Sequence, residues 1–179
     1  MSPSQFAPIP ELFLSWENAE NAKFEAAELI SHDMTPRQIC DLELLMNGAF
    51  NPLSGFLGEA DYTSVVETMR LADGRLWPMP ITLDVSKEFA KKIELGQKIA
   101  LRDQEGVILA TMKITDIWTP DKAREAEMVF GADDIAHPSV NYLHNTAGAI
   151  YVGGPVTGLQ SPVHYDFRAR RDTPNELRA

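Results

Sequence analysis

The side chains able to do chemistry are few and scattered. His32, His137, His144 and His164 are the candidates for proton transfer or metal ligation. None belongs to an H-E-x-x-H pair. His137 and His144 lie seven residues apart and could share a helix face, but no carboxylate or cysteine completes a ligand set. Asp133-Asp134 has the composition of an acid–base or metal pair, yet Pro138 soon after reads as a helix first turn, which makes the pair a solvated loop at a helix start. Gly153-Gly154-Pro155-Val156-Thr157-Gly158 has the look of a phosphate loop. Pro155, however, removes a backbone donor where one is needed, and no helix pattern follows, so a strand bend is expected. Arg168, Arg170 and Arg171 could gather an anion, but nothing nearby supplies a helix N-terminus with glycine-type approach, and a solvated linker is the expectation. No Ser-His-Asp or Cys-His arrangement stands out. The residues point to a scaffold or binding domain, with no catalytic, cofactor-binding or metal-binding residue assigned.

A chain of 179 residues fits one ordinary domain, or one domain with a piece of the next. Its 44% hydrophobic and 23% charged residues are those of a globular protein. The net charge of −10 opposes nonspecific binding to nucleic acid and to anionic membranes. It leaves room for a small anionic substrate held by a local site. The single cysteine, Cys40, excludes an internal disulfide; it falls in a helical pattern and is expected as a small buried hydrophobe. That usage suits a reducing, cytoplasmic location. No apolar run approaches the ~18 residues of a membrane span, and MSPSQFAPIPELF lacks the pattern of a signal peptide.

The elements expected to position these residues are α+β. Residues 1–10 carry three prolines and are expected to wander, and Glu11 to Ile30 to hold a helical turn or two. The helix from Thr35 is the best marked. Thr35 can cap it, Pro36 suits its first turn, Gln38 stands at the capping-box position, and Ile39, Leu42, Leu45 and Met46 form one stripe before Gly48 ends it. A second helix is expected from Glu59 to Arg70, with Tyr62, Val65, Val66 and Met69 on one face, followed by a turn at Ala72-Asp73-Gly74. MPITLDV alternates Ile81, Leu83 and Val85 as a strand, a short helix spans about Ser86–Ile93, and Gly96 stops it. QKIALRD and VILATMKITDIW read as two strands of a hairpin turning at Asp103-Gln104-Glu105-Gly106. Thr119-Pro120 signals a helix ending near Gly131, and GAIYVGGPVTGL one or two strands with glycine breaks. Helices mixed with antiparallel hairpins suggest a small curved sheet or barrel. HYDFRARRDTPNELRA is basic and polar, and Thr173-Pro174-Asn175-Glu176 announces another helix that only three residues follow, as expected of a fragment cut just inside the next domain.

Longer motifs carry a family resemblance. TPRQICDLELLMNGAFNPLSGFLGEADY, then MRLADGRLWPMPITLDV, LGQKIALRDQEGVILA, VFGADDIAHPSV, YVGGPV and HYDFRARRDTPNELR resemble, in order, the N-terminal domain of ATP sulfurylase (sulfate adenylyltransferase). Ser139 departs from the small glycine expected in the HPSV segment. The family joins ATP and sulfate into adenylylsulfate, releasing pyrophosphate, with magnesium as counter-ion. The resemblance implies a PUA-like, barrel-containing domain over residues 1–166, with 167–179 as linker and start of a catalytic nucleotidyltransferase domain. The family's catalytic segments, Gln-x-Arg-Asn-Pro and His-x-x-His, occur nowhere in this sequence, so no catalytic residue carries over. The full-length enzyme is implied to use ATP and Mg, whereas this chain alone is expected to be inactive and to hold no cofactor. Implied partners are the catalytic domain of the same chain, a homo-oligomer and a fused adenylylsulfate kinase, without nucleic acid or membrane.

The loop from Gly48 to Gly58 is unusually apolar, with Phe50, Leu53 and Phe56 among its glycines. Two covers are expected: the domain's own barrel, or a catalytic domain or neighbouring subunit. Phe50, Leu53, Phe56, Arg168, Arg170 and Arg171 are therefore interface candidates. A stand-alone RNA-binding module, a use to which PUA-like folds are also put, and a pure oligomerisation module are the alternatives. The acidic balance weighs against RNA.

Overall fold

Thr35 opens the helix as its neighbours demand: its hydroxyl accepts from the Gln38 amide, and the Gln38 side chain returns the bond to the Thr35 N–H at 3.0 Å. The structure, a computed structural model, describes residues 7–179. Its elements in chain order are α1 (Trp16–Ala27), β1 (Ser31–Asp33), α2 (Pro36–Met46), β2 (Gly55–Phe56), α3 (Glu59–Thr68), β3 (Leu83–Val85), α4 (Lys87–Ala90), β4 (Lys98–Arg102), β5 (Ile108–Lys113), β6 (Asp116–Trp118), α5 (Lys122–Glu125), a π-helical turn (Ala126–Phe130), α6 (Pro138–Asn145), β7 (Ile150–Gly158) and two 3-10 turns, Arg168–Arg170 and Glu176–Arg178. The chain divides into two compact units.

Unit 1 comprises residues up to Gly55, Lys98–Lys113 and Pro155–Ala179. β1 runs parallel to β4, β4 antiparallel to β5 with a bulge at Leu101–Arg102, and β5 antiparallel to Val156–Gly158 of β7. The β4–β5 hairpin turns where expected, and Asp103 holds it by accepting from the Glu105 and Val107 amides. Ile99, Leu101, Leu109 and Met112 are buried on this sheet. α1 supplies Ala26 to a cluster with Ala100 and Leu159, flanked by Leu14, Ala22, Leu29 and Ile108. Gly48 ends α2 at φ 80°, and a side chain there would meet the Pro10 carbonyl at 2.7 Å.

Unit 2 comprises Phe56–Gln97 and Ile114–Gly154. The first half of β7 is its central strand, flanked antiparallel by β3 and β6, both of which meet it at Val152. Gly153 sits where backbone presses on backbone: an added Cβ would lie 2.4 Å from the Leu57 carbonyl oxygen. The π-helical turn and α6 share Ala126, Val140 and Leu143, with Phe130 against them.

The α+β reading holds, with differences of detail. Residues 16–27 form a full 12-residue helix rather than a turn or two. Residues 1–6 of the stretch expected to wander lie outside the described residues. Cys40 is exposed, not buried, because Gln38, Leu42, Leu45 and Met46 take the inner face of α2. α3 stops at Thr68, since Met69 turns left-handed (φ 56°) and is itself exposed. Residues 81–85 do not alternate; all five are buried, and only 83–85 form a strand. The run expected as one strand over 107–118 is two, because β5 and β6 pair with different stretches of β7. Asp121, not Thr119, caps α5, accepting from the Arg124 amide at 3.0 Å.

Candidate functional site

The candidate residues do not converge. In unit 1, His32 Nε2 lies 3.2 Å from Gln38 Oε1, and His164 Nε2 contacts both Glu43 carboxylate oxygens at 2.8 and 2.9 Å. In unit 2, His137 caps α6 and stacks on Phe130, while His144 pairs with Asp133. Asp134 spends its carboxylate on the Ala136 amide. Among the described residues, no group of three or more His, Cys, Asp or Glu side chains could hold a metal ion. The Gly153–Gly158 run lies within β7, and the amides of Val156 and Gly158 are committed to the carbonyls of Ser54 and Leu12. It is a strand, not a phosphate cradle.

Unit 2 contains a buried polar centre that the sequence reading missed. Tyr62 of α3 and Tyr151 of β7 both donate to Glu125 Oε2 of α5, at 2.8 and 3.0 Å. Trp118 of β6 completes the setting, with ring centroids 5.5 to 5.7 Å from the two tyrosines and edge-to-face geometry against Tyr151. A carboxylate here needs charge-assisted donors to offset its desolvation, and the two phenols supply them. Burial, reinforced by the Glu125 charge, pushes both phenol pKa values well above the ordinary tyrosine range. Both tyrosines therefore stay protonated as donors. The local sequence offered one signal for Glu125: at i, i+4 it shares a helix face with Val129. Nothing in the local sequence named its partners, one of which lies 63 residues upstream.

Beside it, Lys122 Nζ donates to the Leu143 and Ala147 carbonyls at 2.7 and 2.8 Å, closing the C-terminus of α6. Burial lowers its pKa, against the opposing pull of Asp84 and Glu125. Tyr62, Glu125 and Tyr151 are all buried, and the hydroxyls and the carboxylate are spent on one another. A cleft of about 270 Å³ adjoins this centre, lined by Tyr62, Trp118, Asp121 and Arg124 among others.

The interface candidates separate. Leu53 and Phe56 are buried, and Phe50 is half-buried. Arg168, Arg170 and Arg171 are exposed, with Arg171 paired to Asp166 at 3.1 Å. The capping box announced by Thr173 forms: Thr173 Oγ1 accepts from the Glu176 amide and the Glu176 carboxylate accepts from the Thr173 amide, which lowers the Glu176 pKa. Inside that turn, Asn175 pairs in both directions with the Ile9 backbone, at 2.8 and 3.0 Å.

Comparison with known proteins decides the family. A family model described as a PUA-like domain matches residues 2–161. The chain belongs to the PUA-like domain family. This PUA-like chain is 48% identical over 163 residues to the sulfate adenylyltransferase of Eremothecium gossypii, which covers 91% of the chain and 32% of that protein. It is 47% identical over 154 residues to the sulfate adenylyltransferase of Saccharomyces cerevisiae, covering 86% and 30%. Among solved structures, a hexameric APS kinase from Thiobacillus denitrificans superposes with a TM-score of 0.73 and 33% identity, over 95% of this chain and 29% of that one. The chain thus spans about a third of the length of the curated relatives it matches.

Proposed function

We propose that this PUA-like domain is the non-catalytic N-terminal platform of a sulfate adenylyltransferase, the enzyme that makes adenylylsulfate and pyrophosphate from ATP and sulfate. The observation that carries the reading is 48% identity over nine-tenths of the chain to a protein of that name, confined to about a third of its length. The chain's own chemistry agrees. Its glycine run is a strand with committed amides, its histidines are dispersed, and of its buried acids Glu125 is held by two tyrosines and Asp84 accepts from the Gly148 amide. ATP, its magnesium and sulfate are accordingly handled by residues outside this chain, and no reaction step is assigned to it. The platform ends near Asp166, and residues 167–179 lead toward the catalytic part. Phe50, Arg168 and Arg170 are the candidates that present surface for contact with that part or with a neighbouring subunit. The hexameric, APS-kinase-named structural neighbour supports an oligomeric parent, and a fused adenylylsulfate kinase is compatible with it. A cytoplasmic location fits the exposed free cysteine, and no helix among the described residues is long and apolar enough to cross a membrane.

The test is a chimera in which this chain replaces the matching third of the Eremothecium gossypii enzyme. The chimera should release pyrophosphate from ATP in a sulfate-dependent manner, and the chain alone should not. Turnover by the purified chain, with contaminating enzyme excluded, overturns the proposal. So does a folded chimera that is inert.

A further inference from the structure

The stretch from Pro8 to Pro10, expected to wander, is engaged. Prolines flank Ile9 on both sides and carry no N–H, so the stretch offers a single backbone donor. Asn175, 166 residues further along the chain, takes it: Asn175 Oδ1 accepts from the Ile9 amide at 2.8 Å. In return, Asn175 Nδ2 donates to the Ile9 carbonyl at 3.0 Å and to Glu11 Oε1 at 2.8 Å. Both polar atoms of the Asn175 side chain are thus spent on this one short segment. Arg178 adds a bond from Nη1 to the Ala7 carbonyl at 3.2 Å. The turn that presents Asn175 is itself closed by the Thr173–Glu176 capping box.

Ile9 is a firm place to dock. The space a Cβ would need at Gly48 is filled by Ile9 Cγ2 and the Pro10 carbonyl oxygen, each 2.7 Å from it. Three residues on, Leu12 donates to the Met46 carbonyl of α2 at 2.9 Å and accepts from the Gly158 amide of β7 at 2.8 Å. At the other end of the C-terminal stretch, His164 Nε2 contacts both Glu43 carboxylate oxygens, also on α2. Both fastenings therefore trace back to the C-terminal half of α2. Residues 165–174 span two fixed points as a strap. A flexible linker of that length would let its far end range over roughly 17 Å; a strap fastened at both ends does not.

We propose that Asn175 is a positioning residue: docked on Ile9 and Glu11, it sets the direction in which the polypeptide runs on from this domain, and so holds the catalytic part in one orientation. The inference rests on the platform reading. With no reaction step assigned to this chain, orientation is what it can contribute to turnover. A connection that is already ordered leaves less freedom to be lost when reacting groups are brought into place. The N-terminal stretch of prolines is, in this account, the receiving half of the fastening.

Two assays test it. In the chain, trypsin cleavage after Arg168, Arg170 and Arg171 reports how often the strap opens, since all three are exposed and lie between the fastenings. Asn175→Ala removes three hydrogen bonds and should speed that cleavage by roughly tenfold, with the far-UV circular dichroism unchanged. In the chimera with the Eremothecium gossypii enzyme, the same substitution should lower the turnover per folded molecule by roughly tenfold, with the urea midpoint little changed. Asn175→Asp sets a carboxylate against Glu11 and should do at least as much. Adding Glu11→Gln reverses donor and acceptor in that bond and should recover part of both losses. Faster cleavage, slower turnover and recovery in the reversed pair support the proposal. If the unsubstituted chimera is active and Asn175→Ala leaves either cleavage or turnover per folded molecule unchanged, this inference fails while the platform reading stands. A reversed pair that recovers neither loss overturns it as well. A folded but inert unsubstituted chimera takes down both.

Discussion

At the scale of single residues, Glu125 is the position on which most depends. Replacing it with alanine leaves the Tyr62 and Tyr151 hydroxyls buried without their acceptor. At about 1–3 kcal/mol for each stranded group, Glu125→Ala should lose about 2–6 kcal/mol in urea denaturation, while Glu125→Gln, which keeps an acceptor oxygen, should lose clearly less. The same pair predicts a response to alkali. Both folded phenol pKa values are raised from the ordinary value of 10.0 that the unfolded chain resumes. The unfolded state therefore releases these protons first. The stabilisation is intact below about pH 10 and is lost as pH climbs toward the folded values, at about 1.4 kcal/mol per pH unit for each tyrosine. Urea melts across pH 9–11 should show this fall, and Tyr62→Phe with Tyr151→Phe should flatten it.

At the scale of elements, α2 and β7 show what local sequence can and cannot announce. Thr35→Ala removes one side of a formed capping box and should lower stability by about 1 kcal/mol, read as a shift in the urea midpoint without a change in slope. α2 was legible because its signals are local: cap, first-turn proline, box partner and apolar stripe all lie within a dozen residues. The hairpin at Asp103–Gly106 was legible for the same reason. The division of 107–118 into two strands was not, since the break follows from a change of partner along β7, a long-range fact. Nor was the burial of Asp84, which answers the Gly148 amide at 2.6 Å. Gly153→Ala tests the close approach in unit 2. With backbone rather than a movable side chain in the way, it should lose about 2–3 kcal/mol by the same assay. That the four histidines lie apart from one another was legible in their spacing. The centre at Glu125 was missed because its three elements meet only on folding.

At the scale of the whole molecule, charge limits what the chain binds. A net charge of −10 provides no positive footprint, and Arg168 and Arg170 are too few to trace a phosphate backbone. Fluorescence anisotropy with a labelled RNA should therefore show no binding that tightens as salt is lowered; a strong, salt-sensitive signal would revive the nucleic-acid reading. The connectivity reaches into biosynthesis as well. Unit 1 is assembled from three separated stretches, and its sheet takes in residues that follow Gly154, where unit 2 is already complete. A ribosome emitting this polypeptide thus delivers all of unit 2 before it delivers the closing strand of unit 1. Residues 7–55 must wait, with their apolar faces uncovered, for most of the remainder to emerge, and it is during that wait that a nascent chain of this topology has the greatest need of a chaperone.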